Sequence, residues 1–205
     1  MEKEKSFLPK DDQYHNEDYI RKVFTEGDRS EIEKIKKIHN FTQEQVDLFC
    51  DFAVLRRDTL AKMKLELEQR MKKQPRPDKE ELELGAYEEQ LEPQVRETVL
   101  KLRQKGYATD ESGFGDFDGQ KIGFEQEYFS DHAWSTSLQA ELAKEGIELI
   151  IEANAIKLKF SRSVGLPLIT ETWSKIEKAL PDLGRPAQPC RLNSAKSFRE
   201  KHAEL

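Results

Sequence analysis

Between Thr42 and Lys73 the chain runs without a glycine or a proline, and nothing else in the sequence limits its fold as much. Thr42, followed three residues on by Gln45, has the form of a capping box, so the run predicts one helix of roughly eight turns. Val46, Ala53, Leu60 and Leu67 recur at heptad spacing. Phe49 and Met63 fall on the intervening row, which Arg56 and Arg70 interrupt. A helix this long with one apolar stripe must cover it against shorter helices nearby, a second domain or another copy of itself. The expected partner surface, for another protein or for self-association, is therefore residues 42–73.

The flanking sequence divides the chain. Residues 1–14 are charged and carry Pro9, too polar to offset the entropy of ordering, and read as a disordered tail. Tyr19, Ile20, Val23 and Phe24 mark a short helix over 15–26, stopped by Gly27. Asp28 or Ser30 caps another, with Ile32, Ile35 and Ile38 on one face and a break at Asn40. These segments and the long helix make a helical arm over 15–74. Pro75 and Pro77 within a charged run cannot continue a helix, so 75–87 reads as a linker.

Beyond the linker the sequence repeats itself weakly: helix, glycine, strand, turn, strand. Leu91, Val95, Val99 (or Thr98) and Leu102 give the first helical stripe, with Pro93 in its first turn and Gly106 at its end. In the second copy Ile147, Leu149 and Ile151 alternate, and after Asn154 so do Ile156, Leu158 and Phe160, as in a hairpin with one buried face. A further helix is expected over Thr170–Leu180. The resulting fold class is α+β. It comprises a helical arm, then a domain over 88–181 with a four-stranded antiparallel sheet built from two helix-plus-hairpin units covered by helices. Residues 182–205 read as a C-terminal extension.

Composition narrows the function classes. Charged residues make up 36% of the chain and apolar ones 36%, with a net charge of -6. That balance argues against nucleic-acid binding driven by bulk electrostatics. Cys50 and Cys190 alone assemble neither a disulfide framework nor a zinc site, and no cofactor or metal is expected. The first residues lack a signal-peptide pattern, and no apolar run is long enough to span a membrane, so the expected location is cytoplasmic with no membrane partner.

Weak candidate sites remain. Gly113, Gly115 and Gly119 in the 111–119 loop free backbone N–H groups that can cradle an anion, but Glu111, Asp116 and Asp118 repel one, and the P-loop ending is missing. Asp116, Asp118, Gly119 and Glu125 fall on a calcium-loop register whose first position is Phe114, which has no oxygen to offer. Glu125, Glu127, Asp131 and His132 lie close in sequence, as an acid, a base or ligands would, but read more simply as a solvated face with His132 near a helix start. Ser161, Arg162 and Ser163 form a polar turn after the last strand.

These features are compatible with three functional readings. The leading one is a non-catalytic protein-interaction or regulatory protein using the long helix and a loop-rich α+β domain. The alternative is a small-molecule or metal-dependent enzyme with a pocket near the 111–119 loop, its candidate catalytic residues Asp116, Asp118, Glu125, His132 and Arg162. The third, a nucleic-acid-binding domain, requires Lys105, Lys121, Lys157, Lys159 and Arg162 to share a face with exposed aromatics from the group Tyr107, Phe114, Phe117, Phe124, Tyr128, Phe129 and Trp134.

Overall fold

A computed structural model describes residues 12–73, 91–130 and 136–184. The expected linker, most of the tail and extension, and Asp131, His132 and Trp134 lie outside the described residues. The chain gathers into two compact units that divide between Asp58 and Thr59.

In the first unit a turn of 3-10 helix at Asp12–His15 precedes α1 (Glu17–Glu26) and α2 (Arg29–His39). Asn16 accepts the Tyr19 N–H and Asp28 accepts the Glu31 N–H, so each helix begins on a side-chain cap. Asn40, at φ 55°, ends α2 in the left-handed conformation that asparagine tolerates. The long helix α3 (Gln43–Lys73) opens on the expected capping box: Thr42 N–H donates to Gln45 Oε1 at 2.9 Å, and Gln45 N–H to Thr42 Oγ1 at 3.2 Å. Val46, Phe49 and Phe52 of α3 are buried, as are Ile20, Val23, Phe24 and Ile35 of the shorter helices. Phe49 packs against Phe24 and edge-on to Phe41 at 5.1 Å. The first half of the apolar stripe is thus covered within its own chain.

The second unit contains the later turns of α3, where Glu66 pairs with Arg96 at 3.1 Å. Three more helices follow, α4 (Pro93–Gln104), α5 (Thr136–Lys144) and α6 (Leu166–Ala179), with strands β1 (Thr109–Phe114), β2 (Gly119–Phe124), β3 (Ile147–Glu152) and β4 (Ala155–Phe160). The sheet is antiparallel throughout, in the order β1-β2-β4-β3. Each hairpin follows its own helix, and the hairpins meet through β2 and β4, so the two helix-plus-hairpin units are related by an approximate two-fold between the central strands.

Register fixes the two faces. Gln120 and Ile122 stand beside Leu158 and Ile156 on the buried face, with Phe124 and Phe160 at its two ends, while Lys121, Lys157 and Lys159 point the other way. Over the buried face lie Val95, Val99 and Leu102 of α4, Leu142 of α5, and Ile169, Trp173 and Ile176 of α6, all essentially without solvent contact. Each such side chain contributes about 1.5–3 kcal/mol by leaving water. α6 starts earlier than its apolar pattern foretold, because Pro167 sits in its first turn, where a missing N–H costs nothing. Its C-terminus is held by Lys105, whose Nζ donates to the carbonyls of Glu177 and Leu180 at 2.6 and 2.9 Å and pairs with the Glu177 carboxylate at 2.7 Å.

Candidate functional site

The sequence expected a long glycine-rich loop over 111–119, but most of it is strand. The β1–β2 ladder extends to Gly115, whose N–H donates to the Gly119 carbonyl at 3.1 Å, leaving only residues 115–118 to turn. This turn lies at one end of the sheet together with the end of β4. Phe160 N–H donates to the Asp118 carbonyl at 3.0 Å, and Lys159 Nζ stands 3.8 Å from the Asp118 carboxylate. The 161–163 turn follows directly, so Asp116, Asp118 and Arg162 share an end of the sheet. Glu125 does not join them. It follows β2 at the far end, about 23 Å from Asp118 by strand rise, where its N–H donates to the Ala108 carbonyl. His132 lies outside the described residues.

Within the group that shares an end, side chains are committed to different tasks. Asp116 is exposed. Asp118 is buried, and that burial pushes its carboxyl above the ordinary aspartate range, with Lys159 pulling the other way and Asp116 and Glu148 adding to the rise. Arg162 Nε donates to the Glu145 carbonyl at 3.1 Å, and Ser161 Oγ to the Gly146 carbonyl at 3.0 Å, which fastens the polar turn to the start of β3. Among the described residues no group of three or more His, Cys, Asp or Glu side chains converges to hold a metal ion. Cys50 carries a free thiol that burial, and then Asp47 and Asp51, push upward, away from the reactive thiolate.

The basic residues do not form one surface. Lys121, Lys157 and Lys159 share the open face of the sheet, paired in turn with Glu111, Glu152 and Asp118. Lys105 is engaged at the end of α6. Tyr107, Phe124 and Phe129 are buried, and with Tyr128 they form a mutual cluster of edge-on and stacked rings, so these aromatics are packing mass and not a stacking platform.

Sequence reasoning missed the two lateral edges of the sheet, which are built in opposite ways. The β1 edge is closed. Its pairing is irregular between Thr109 and Ser112, and Asp110 and Glu111 make it acidic. The Glu92 carboxylate, just ahead of α4, accepts the Phe114 N–H at 3.0 Å and a bond from buried Gln94, which in turn donates to buried Gln120 at 3.1 Å. Gly113, at φ 122°, makes room for that carboxylate: a Cβ there would come 2.3 Å from its carbon.

Among the described residues no strand pairs with the β3 edge. β2 takes the hydrogen bonds of alternate β4 residues, as the Phe160-to-Asp118 and Phe124-to-Asn154 bonds show, and β3 takes the others, as the Ser161-to-Gly146 bond shows. Glu148, Ile150 and Glu152 therefore bond to β4, while the N–H and C=O groups of Ile147, Leu149 and Ile151 turn away from it, those of Ile147 buried and those of Leu149 and Ile151 in half-buried residues. Among the described residues no hydrogen bond reaches those outward groups. The strand reads Ile-Glu-Leu-Ile-Ile-Glu in unbroken register, with Leu149, Ile150 and Ile151 only half-buried. It has none of the lysines, prolines or bulges that blunt exposed edges.

None of the described helices is long and apolar enough to cross a membrane. No family model, curated protein or solved structure matches the chain.

Proposed function

We propose that this is a non-catalytic protein-interaction protein whose docking surface is the β3 edge of its sheet. The observation that supports this is the contrast between the two edges: one is stopped by a carboxylate, a glycine and a bulge, and the other presents the outward peptide groups of Leu149 and Ile151 on a largely apolar strand. Strand addition at such an edge gains main-chain hydrogen bonds for affinity and side-chain rows for selectivity. The expected partner surface over residues 42–73 has less behind it in its first half, where Val46, Phe49 and Ala53 are already buried.

The enzyme reading has less behind it. Asp116, Asp118 and Arg162 share an end of the sheet, but Glu125 is at the other, and the Arg162 Nε is spent on a carbonyl. The nucleic-acid reading meets paired lysines and buried rings.

The test uses a fluorescent peptide with the sequence of residues 155–160, whose alternating apolar row and two lysines complement the apolar row and the two glutamates of β3. Titrated with dilute full-length chain, the peptide should gain anisotropy, and Leu149→Lys, which points a charge inward at the edge, should abolish the gain. Absence of binding, or binding that Leu149→Lys leaves intact, would overturn the reading.

A further inference from the structure

Resting on the reading of β3 as a docking edge, we infer that its occupant is an extended segment of another protein in which two basic residues bracket an apolar alternation: basic, apolar, any, apolar, basic. Glu148 and Ile150 stand opposite Lys159 and Lys157, so with Glu152 they lie on the face of the sheet away from the helices. Ile147, Leu149 and Ile151 lie on the covered face. Of these only the half-buried Leu149 and Ile151 have peptide groups turned from β4 and within reach of another strand, Ile147 being buried. A strand hydrogen-bonded to those two residues makes about four main-chain bonds in the antiparallel sense and continues both side-chain rows. Its two apolar residues fall beside Leu149 and Ile151, its middle residue beside Ile150, and its outer residues beside Glu148 and Glu152. The order reads the same in both directions, so it holds for a parallel or an antiparallel occupant.

Charge requires the outer residues to be basic. Across the open face Glu111 of β1 pairs with Lys121 of β2, Lys157 and Lys159 follow on β4, and Glu148 and Glu152 end the series on β3. Both of these last carboxylates are exposed and are served only in part from the inner side. Lys159, directly across from Glu148, stands 3.8 Å from the Asp118 carboxylate, and Glu148 makes no ion pair among the described residues. Lys157 reaches Glu152 on the diagonal, since the residue directly across from Glu152 is Ala155. Opposite charges directly across a strand pair stabilise it, and like charges destabilise it. An acidic segment could make the same main-chain bonds but would meet two carboxylates, so the main chain supplies affinity and the two glutamates supply selection.

The test titrates two fluorescent peptides, Thr-Lys-Val-Thr-Val-Lys-Thr and Thr-Glu-Val-Thr-Val-Glu-Thr, both capped at their ends, with dilute full-length chain. The basic peptide should bind about tenfold or more tightly than the acidic one, equivalent to ~1.4 kcal/mol, and about 0.5 M salt should shrink that preference. A net charge of -6 draws any cationic peptide, so the deciding comparison is between two doubly substituted chains of equal charge. Glu148→Gln with Glu152→Gln should remove the preference. Glu26→Gln with Glu68→Gln, at exposed positions elsewhere, should keep it, with the far-ultraviolet circular dichroism of both chains unchanged.

A preference lost only in the chain changed at 148 and 152 supports the inference. A preference equal in the two substituted chains, undiminished by salt, or absent from the unsubstituted chain overturns it; where Leu149→Lys still abolishes binding, the edge reading stands. If neither peptide binds while that of residues 155–160 does, the basic bracket is overturned and the edge reading again stands. Binding of none of the three overturns both.

Discussion

Asp118 closes a hairpin turn with its carboxyl out of water. Its Lys159 partner is 3.8 Å away with a side chain 54% exposed, so desolvation outweighs attraction and the carboxyl titrates above the ordinary aspartate value of 3.8. An acid whose folded pKa is raised supports the fold fully below that ordinary value and loses its contribution as pH rises through the raised one. Asp118→Asn should therefore raise the urea midpoint at about pH 7 and leave it nearly unchanged at about pH 3. A lower midpoint for the variant at neutral pH would mean that the Lys159 attraction dominates. The sequence put Asp118 among candidate catalytic groups because its loop is acidic and glycine-rich. It did not reveal that Gly113 serves a carboxylate 21 positions back, since that contact is made only when α4 packs beside β1.

At the level of elements, local rules carried most of the fold. The capping box at Thr42, the Asn40 stop and the alternation of β3 and β4 each depend on neighbours within a few residues, and each is present as expected. β1 was harder to recognise, because Thr-Asp-Glu-Ser-Gly-Phe has no apolar alternation; its place is set by pairing with β2 and by Glu92. The outward groups of β3 were hidden for a different reason: periodicity assigns faces, whereas edges depend on strand order, which is set by contacts between hairpins. The end of α6 also depends on a distant residue. Lys105 answers two of its terminal carbonyls and the buried Glu177 carboxylate, so Lys105→Met leaves that charge unpaired and should cost about 3 kcal/mol, read from chemical denaturation. A loss under about 0.5 kcal/mol would show that water replaces the ammonium without penalty.

For the whole molecule, the two edges govern growth and its arrest. A sheet with one receptive edge stops at two copies, because joining consumes the surface that joins; a sheet with two receptive edges has no such end point. Glu92 adds to the bulge in keeping these outcomes apart, since it occupies the Phe114 N–H that an incoming strand would need. Removing it with Glu92→Ala should turn a finite species into an open-ended one, visible as light scattering that climbs with time and as dye-binding fibres, while Leu149→Lys in the same chain should suppress both. On the reading of β3 as the docking edge, one carboxylate acts as a chain terminator in the polymer sense, placed at the opposite edge of the sheet.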